Sequence, residues 1–356
     1  MRRIYLIRHG LPDFPEGERY CLGSADMPLG VLGRLQACQL GRGLRDVPID
    51  RVFSSPLSRA RQTAEYIRGE YTVLPGLEEM SAGDWDGLSF REIIRRWPEL
   101  FEKRGGGDYV PIPNAETPEH GQRRFLAAVE SALSRSAGDV AIVAHTTVNQ
   151  SLVSYARGES LEANMRLRQD YCSYYELGYD GGFTVLCEAR RPRPPLDRPL
   201  AGELMAASGL PERTAAHCRA VADRALELCG ELAGAGLALD EELVCRAALV
   251  HDIARSLPEH DRVGAGWLEE LGYRREADLV RQHHGLDRLH VDEAAVLYIA
   301  DKCVMEDTTV SLSERFENSL ARCKTEEARA AHGRRAAEAL AVKTMINDYC
   351  GKETIK

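Results

Sequence analysis

The sequence predicts an α/β domain with three layers around a mainly parallel sheet, followed by an all-α helical bundle. Before about residue 190, short apolar runs alternate with stretches of helical periodicity, which is the pattern of strands joined by helices. Beyond Pro211 the helical periodicity is unbroken, and Ala, Leu and Glu predominate. At 356 residues the chain also exceeds the usual size of one hydrophobic core.

The strands of the first half are predicted from apolar or β-branched runs. Four of these runs precede helical stretches, at 4–7, 51–53, 71–74 and 140–144. Two more, at 172–177 and 183–187, flank the turn sequence GYDGG and are expected to form a hairpin. Strands that alternate with helices form parallel sheets, and the hairpin would close this sheet at one edge.

A change in composition marks the boundary between the two predicted domains. The sequence RRPRPPLDRP at 190–199 holds four prolines and four arginines, a composition that opposes both helix and central strand. We therefore predict a first domain at 1–190, a linker at 191–206 and an all-α second domain at 207–356. The second domain should end in two further helices, and no β-run is evident beyond Pro211.

The composition excludes several classes of protein. No apolar run reaches the roughly 18 to 20 residues that span a bilayer, so no membrane partner is expected. A formal net charge of -9 argues against binding of a nucleic-acid polymer, which requires a surplus of Lys and Arg. The ten cysteines occur singly without a CxxC pair, which favours reduced thiols in the cytoplasm. A small anionic substrate remains compatible with these features, and the oligomeric state stays open.

Arg8 and His9 lie where the first predicted strand ends, in the sequence YLIRHG. This edge of an open α/β sheet is where ligands bind. In SSPLSRARQTA, Ser55 is predicted as a helix N-cap with Pro56 at the first helical position, which places Arg59 in the first turn. A guanidinium beside a helix N-terminus suits a phosphate dianion.

A second histidine follows a strand in DVAIVAHTTVNQ, where His145 precedes another predicted helix. Two histidines at two strand ends should face one crevice. Together with this arrangement, four segments in order resemble the histidine phosphatase, or phosphoglycerate mutase-like, superfamily. These segments are RHG at 8–10, SPLSRARQTA at 55–64, LEEMSAGDWDG at 77–87 and VAHTT at 143–147. The sequence at 20–37 is most similar to the compact phosphatase branch that includes α-ribazole phosphatases.

The resemblance implies a phosphatase that carries the phosphoryl group on His9 as a phosphohistidine. Arg8, Arg59 and His145 would bind the phosphoryl oxygens, and Glu79 would act as the general acid and base. No metal or other cofactor is implied for this domain.

Three neighbouring residues have less specific patterns. Glu78 is expected at the surface, because its side chain should point away from that of Glu79. Glu116 and Thr117 would either bind substrate or, in the case of Thr117 before Pro118, cap the next helix.

The second half is rich in histidine. Six of the ten histidines lie between residues 217 and 290, and imidazole with carboxylate suits divalent transition metals. The positions of His217, of the pair His251 and Asp252, and of Asp301 resemble the motif of HD-domain phosphohydrolases. The resemblance implies that these four residues bind a divalent metal ion such as Mn, Fe or Mg.

The other histidines of this region leave alternatives open. His260 and His284 would either ligate a second metal ion or contact phosphate. His283 and His290 are weaker candidates.

These patterns favour a bifunctional phosphohydrolase acting on a small phosphorylated metabolite or nucleotide. The alternative is a phosphoglycerate mutase-type phosphotransferase with a regulatory, metal-binding HD module.

Overall fold

A computed structural model describes residues 1–105, 110–161 and 167–355. The chain divides into two compact units, Met1–Pro194 and Pro195–Lys356. Each unit is described separately below.

The first unit is built on a six-stranded sheet. Its strands are β1 (Arg2–Arg8), β2 (Ile49–Ser54), β3 (Thr72–Val73), β4 (Asp139–Ala144), β5 (Tyr174–Tyr179) and β6 (Phe183–Arg190). The order across the sheet is β3-β2-β4-β1-β5-β6. The pairs β1/β4, β2/β4 and β2/β3 are parallel, whereas β5 and β6 form an antiparallel hairpin at one edge. The predicted mainly parallel sheet with a closing hairpin is confirmed.

Helices cover both faces of this sheet. They are α1 (Val31–Gly43), α2 (Ser58–Ile67), α3 (Phe90–Arg96), α4 (Pro98–Gly105), α5 (Pro118–Ser134) and α6 (Thr146–Arg157). Along β1, Ile4 and Leu6 enter one apolar cluster, while Tyr5 and Ile7 enter the other. Because side chains alternate between the faces of a strand, this pattern produces two cores and three layers, as predicted.

The register of the parallel strands brings several functional segments to one edge. Arg8 at the end of β1 pairs with Ala144 at the end of β4. Ser54 at the end of β2 pairs with Val143. The residues that follow these three strands therefore emerge side by side, in the position that ligands occupy in open α/β sheets.

The second unit is a helical bundle. Its helices are α7 (Arg198–Ser208), α8 (Glu212–Gly234), α9 (Glu241–Val250), α10 (His260–Leu271), α11 (Arg274–Arg281), α12 (Glu293–Lys302), α13 (Leu312–Leu320) and α14 (Glu326–Cys350). Fully buried aliphatic side chains of α8, α9 and α12, such as Leu228, Ala247 and Ile299, form its interior. The all-α prediction needs one correction, since β7 (Val304–Met305) and β8 (Thr308–Thr309) form a short hairpin.

The predicted linker at 191–206 is also partly helical, because α7 begins at Arg198. Asp197 accepts a hydrogen bond from the backbone N–H of Leu200 at 2.8 Å and so caps the helix. Pro199 lies in the first turn, where a missing N–H costs nothing. Among the described residues, no helix is both long and apolar enough to cross a membrane.

Candidate active site and candidate metal centre

His9 and His145 follow the adjacent strands β1 and β4 and lie side by side. Their ring centroids are 5.0 Å apart, and both side chains are buried. The chain turns at Gly10, where a Cβ atom would lie 2.5 Å from the carbonyl oxygen of Gly33. Only glycine therefore allows this close approach of two backbone segments.

The contacts of the His9 ring determine its tautomer. Nδ1 lies 2.7 Å from the carbonyl oxygen of Gly10, which can only accept a hydrogen bond, so Nδ1 carries the proton. Arg59 Nε donates to His9 Nε2 at 3.2 Å, so Nε2 keeps its lone pair. Burial, together with the charges of Arg59 and Arg8, holds the pKa of His9 well below its usual value. The ring is therefore a neutral nucleophile whose free nitrogen faces a guanidinium.

Arg59 is fully buried in the first turn of α2. Its Nη1 donates to Ala25 O at 2.8 Å, and its Nη2 donates to Gly23 O at 3.0 Å. Asp86 accepts hydrogen bonds from the backbone N–H groups of Gly23 and Ala25 and thereby fixes the loop that holds Arg59. A guanidinium has five N–H donors, and two of them remain for an anion beside His9.

Ser55 has a different role from the predicted one. The N-cap of α2 is Leu57, and the cap is supplied from a distance by Asp26, which accepts from the backbone N–H of Ser58 at 2.7 Å. Ser55 Oγ lies instead 2.8 Å from His145 Nε2. Burial and the charge of Arg59 hold the pKa of His145 well below its usual value, so this ring is also neutral. Its Nδ1 atom is buried and has no hydrogen-bond partner among the described residues.

Arg8 approaches the same hollow from the end of β1. Its Nη1 donates to the carbonyl oxygen of Gln169 at 2.6 Å. Its guanidinium carbon lies 3.8 Å from the ring centroid of Tyr171, whose ring is 5.7 Å from that of His9. Tyr171 therefore connects Arg8 with the histidine pair, a contact that no sequence motif indicated.

Glu79 is buried at the N-terminus of α6. Its carboxylate accepts from the backbone N–H groups of Thr147 at 2.9 Å, Met80 at 3.0 Å and Val148 at 3.1 Å. Burial raises the pKa of Glu79, and these hydrogen bonds oppose the rise without cancelling it. A carboxyl group with a raised pKa is suited to act as a general acid.

The neighbouring acidic residues lie outside this hollow. Glu78 is half-buried, and its Oε2 is 3.5 Å from Arg124. Glu116 makes an ion pair with Arg124 at 2.7 Å. Thr117 caps α5, because its side chain accepts from the backbone N–H of His120. The capping alternative for Thr117 is therefore the one that the structure supports.

In the second unit, three segments of the chain bring the predicted metal ligands together. His217 Nε2 lies 3.1 Å from Asp301 Oδ1, and His251 Nε2 lies 3.6 Å from the same oxygen. His251 Nε2 is also 3.7 Å from Asp252 Oδ2. His217 belongs to α8, the pair follows α9, and Asp301 lies in the last turn of α12. Lys302 Nζ contacts Asp301 Oδ2 at 2.6 Å.

A second group of imidazoles adjoins the first. His260, His283 and His284 each present a nitrogen within 4.8 Å of the others. His260 Nε2 is 3.1 Å from Asp252 Oδ1, so the two groups share this aspartate. His283 is nine-tenths buried or more and belongs to the cluster, although the sequence made it a weaker candidate than His260 and His284. His290 is exposed and lies outside both groups.

Each unit matches a known protein family. Residues 4–189, just over half of the chain, match the model of the histidine phosphatase superfamily, branch 1. The chain belongs to the histidine phosphatase superfamily. Residues 214–306 match the model of the HD domain, so the second unit carries such a domain.

Individual relatives of this histidine phosphatase match its first half. "Uncharacterized phosphatase PhoE" of Bacillus subtilis is 33% identical over 166 residues, which cover 44% of this chain and 79% of the relative. "Probable phosphoglycerate mutase GpmB" of Yersinia pestis is 31% identical over 188 residues, which cover 50% of this chain and 86% of the relative. The solved α-ribazole phosphatase of Shigella flexneri is 27% identical with a TM-score of 0.47, covering 53% of this chain and 96% of that one.

HD domains typically bind divalent metals, and the histidine and aspartate side chains of the second unit fit such an ion. The Nδ1 atoms of His217, His251 and His283 contact the carbonyl oxygens of Glu306, Ala248 and Val280 at 2.6 to 2.8 Å. Nδ1 of each ring can therefore donate to a backbone carbonyl, which turns Nε2 toward the carboxylates of the site, the orientation found in metal-ligating histidines. The buried Nε2 atoms of His251 and His283 have no hydrogen-bond partner among the described residues.

Proposed function

We propose that this chain is a bifunctional phosphohydrolase that combines a phosphohistidine-forming phosphomonoesterase with a metal-dependent HD phosphohydrolase. One observation carries the first activity. A neutral His9 presents its free Nε2 to the guanidinium of Arg59, 3.2 Å away, in a buried hollow that His145 also borders. The arrangement joins a nucleophile with donors for the oxygens of a phosphoryl group.

In the first step, His9 Nε2 attacks the phosphorus of the bound monoester. The N–P bond forms as the ester P–O bond breaks, and Arg8, Arg59 and His145 hold the three phosphoryl oxygens. Glu79 gives its proton to the leaving alkoxide, which departs as the alcohol. Electrostatic stabilisation by the two guanidinium groups supplies most of what phosphoryl transfer requires.

In the second step, Glu79 is ionised and accepts a proton from a water molecule. The water oxygen attacks phosphorus, the N–P bond breaks, and inorganic phosphate leaves with His9 neutral again. Glu79 regains its proton, so the cycle is balanced. The backbone N–H groups that surround this carboxylate stabilise its ionised form between the two steps.

The HD activity rests on residues of the second unit. His217, His251, Asp252 and Asp301 would hold a divalent cation, which supplies Lewis acidity and makes water a better nucleophile at neutral pH. Lys302 orients Asp301 by binding its other carboxylate oxygen. The identity of the metal is part of the proposal, with Mn, Fe and Mg as candidates. His260, His283 and His284 form the second candidate group, for another cation or for the phosphate of the substrate.

The proposed substrate is a small phosphorylated metabolite or nucleotide, and the location is the cytoplasm. The names of the relatives support a phosphomonoester for the first site, because they include a phosphatase and an α-ribazole phosphatase. The relative GpmB carries the name of a mutase and supports the alternative of phosphotransfer with a regulatory HD module. Release of inorganic phosphate without an acceptor alcohol separates hydrolysis from transfer.

The decisive experiment is a phosphatase screen over sugar phosphates, nucleotides and cobamide precursors, with and without EDTA. The full chain is compared with the variants His9→Ala and Asp252→Ala, and with His290→Ala as a control for histidine loss outside the clusters. Activity that resists EDTA should vanish in His9→Ala, and metal-dependent activity should vanish in Asp252→Ala. EDTA-resistant activity that persists in His9→Ala would contradict a phosphohistidine intermediate at His9. Absence of any EDTA-sensitive activity leaves the HD domain as a regulatory module.

A further inference from the structure

The face of Arg8 is covered by Tyr171, a residue that belongs to none of the motifs of the first site. We propose that Tyr171 is a positioning residue, whose ring holds the Arg8 guanidinium for phosphate without using its N–H donors. This inference rests on the proposed phosphatase function. Arg8 would thereby stay charged and keep its N–H donors available for phosphate.

The contacts of Arg8 explain why an aromatic partner matters. Its Nη1 is occupied by the carbonyl oxygen of Gln169, while its buried Nε has no hydrogen-bond partner among the described residues. The carboxylates of Glu79 and Asp170 act on Arg8 only at longer range than an ion pair. Burial lowers the pKa of Arg8, and the residues that oppose this shift include Tyr171 as well as the two carboxylates. The ring of Tyr171, 3.8 Å from the guanidinium carbon, stabilises the charge of Arg8 through a cation–π contact.

A carboxylate partner would serve the phosphatase less well. It would occupy the N–H donors and cancel the positive charge that attracts a phosphate dianion. An aromatic face stabilises the cation and leaves its edge free, since the contact uses the plane of the guanidinium. Tyr171 therefore leaves both the N–H donors and the positive charge of Arg8 available for phosphate.

The backbone fixes Tyr171 relative to the strand that carries Arg8. The next residue, Cys172, has φ of 54°, and its N–H donates to the carbonyl oxygens of Arg8 at 3.1 Å and His9 at 3.3 Å. The N–H of Arg8 donates in turn to Ser173 O at 3.0 Å. The ring and the guanidinium are therefore attached to the same pair of hydrogen-bonded segments, which makes their contact a built feature of the site.

The test measures binding of inorganic phosphate to the full chain by calorimetry. Tyr171→Phe keeps the aromatic face and should change the Kd by less than about twofold, whereas Tyr171→Leu should raise it by about five- to thirtyfold. A series of ring-fluorinated phenylalanines at position 171 keeps the shape while weakening the negative face of the ring. The Kd should rise steadily with the number of fluorines, and this series does not depend on the folding of Tyr171→Leu.

A double-mutant comparison shows whether Tyr171 acts through Arg8. In an Arg8→Gln background, the fluorinated series should have no effect on the Kd. The inference is overturned if the Kd does not change with the number of fluorines in the wild-type background. It is also overturned if the Kd rises equally in both backgrounds. If wild-type protein fails to bind inorganic phosphate at all, the proposed phosphatase function itself has failed, and the inference falls with it.

Discussion

At the scale of single residues, the charge state of His9 follows from its surroundings. Burial and two guanidinium groups disfavour a proton on Nε2, so the pKa of His9 lies well below 6.5. A depressed pKa keeps the nucleophile neutral as the pH falls through the range in which an ordinary histidine becomes protonated.

We therefore expect kcat/KM for 4-nitrophenyl phosphate, whose leaving group needs no proton from Glu79, to stay within about twofold between pH 7.5 and pH 6, where an unperturbed histidine would lose most of its nucleophilic form. The measurement is the pH profile of EDTA-resistant hydrolysis. An acid limb centred at pH 6.5 or above contradicts the depressed pKa.

The loss of rate on replacing Glu79 should be larger for a substrate with a poorer leaving group. An alkyl phosphate needs a proton as its P–O bond breaks, whereas 4-nitrophenolate leaves without one. We expect Glu79→Gln to slow the first step by about 10²- to 10⁴-fold with an alkyl phosphate, and far less with 4-nitrophenyl phosphate. Rapid-quench measurement of the phosphoenzyme checks this contrast. Equal losses with both substrates would mean that Glu79 is not the acid.

Sequence reasoning could identify the site residues whose charged or ionisable side chains stand at the ends of predicted strands and helices. Arg59 and His145 stand at element boundaries in recognisable patterns, and the structure brings both to His9. Ser55 and Tyr171 were not identified as contacts of this site. Ser55 contacts His145 across 90 residues of sequence and Tyr171 contacts Arg8 across 163, so neither local propensity nor spacing reveals them.

At the scale of elements, the loop at 23–25 is a part of the first site that depends on one side chain. Asp86 accepts from the backbone N–H groups of Gly23, Ser24 and Ala25 at 2.6 to 3.0 Å. Burial opposes its ionisation, but the hydrogen bonds from Ser24 and its neighbours hold the pKa of Asp86 below its usual value. A depressed pKa means that this carboxylate stabilises the fold above pH 4, and that the contribution is lost as the pH falls through the lowered pKa.

We expect Asp86→Ala to destabilise the first unit by about 2–4 kcal/mol, because three donors lose a charged acceptor. The loop should also release Arg59, so inorganic phosphate should bind about tenfold more weakly. Denaturant unfolding at pH 7 and calorimetry check the two effects. Ser24→Ala, which removes only a hydroxyl group, is the matched control and should cost less than about 1.5 kcal/mol.

The strands β7 and β8 and the helix α7 were not predicted, and the sequence explains why. Strands β7 and β8 have two residues each, which is too short for any alternation of apolar and polar side chains. In α7, the prolines that suggested a linker lie before the helix or in its first turn, where proline is compatible with a helix. The helix α7 therefore begins inside the predicted linker at 191–206.

At the scale of the whole molecule, each unit has its own core and its own candidate chemistry. The first unit presents two neutral imidazoles to two guanidinium groups, an arrangement that suits an anion. The second gathers imidazole Nε2 atoms beside the carboxylates of Asp252 and Asp301, an arrangement that suits a cation. The fold class of both units was predictable because periodicity changes abruptly between them, whereas the assembly of each site from distant segments required the structure.

The opposite charges of the two sites predict that a divalent cation stabilises only one unit. A cation at 100 times its Kd adds about 2.7 kcal/mol to the unit that binds it, which corresponds to a rise of about 5–10 °C in Tm. We expect Mn²⁺ to raise one unfolding transition of the full chain, and EDTA to reverse the rise. Because Asp252 lies between both groups of histidines, Asp252→Asn should abolish the shift, while His9→Gln should leave it intact. Differential scanning calorimetry of the three proteins provides the measurement. A shift that survives Asp252→Asn would place the cation elsewhere in the chain, and one that disappears in His9→Gln would mean that the first site binds it.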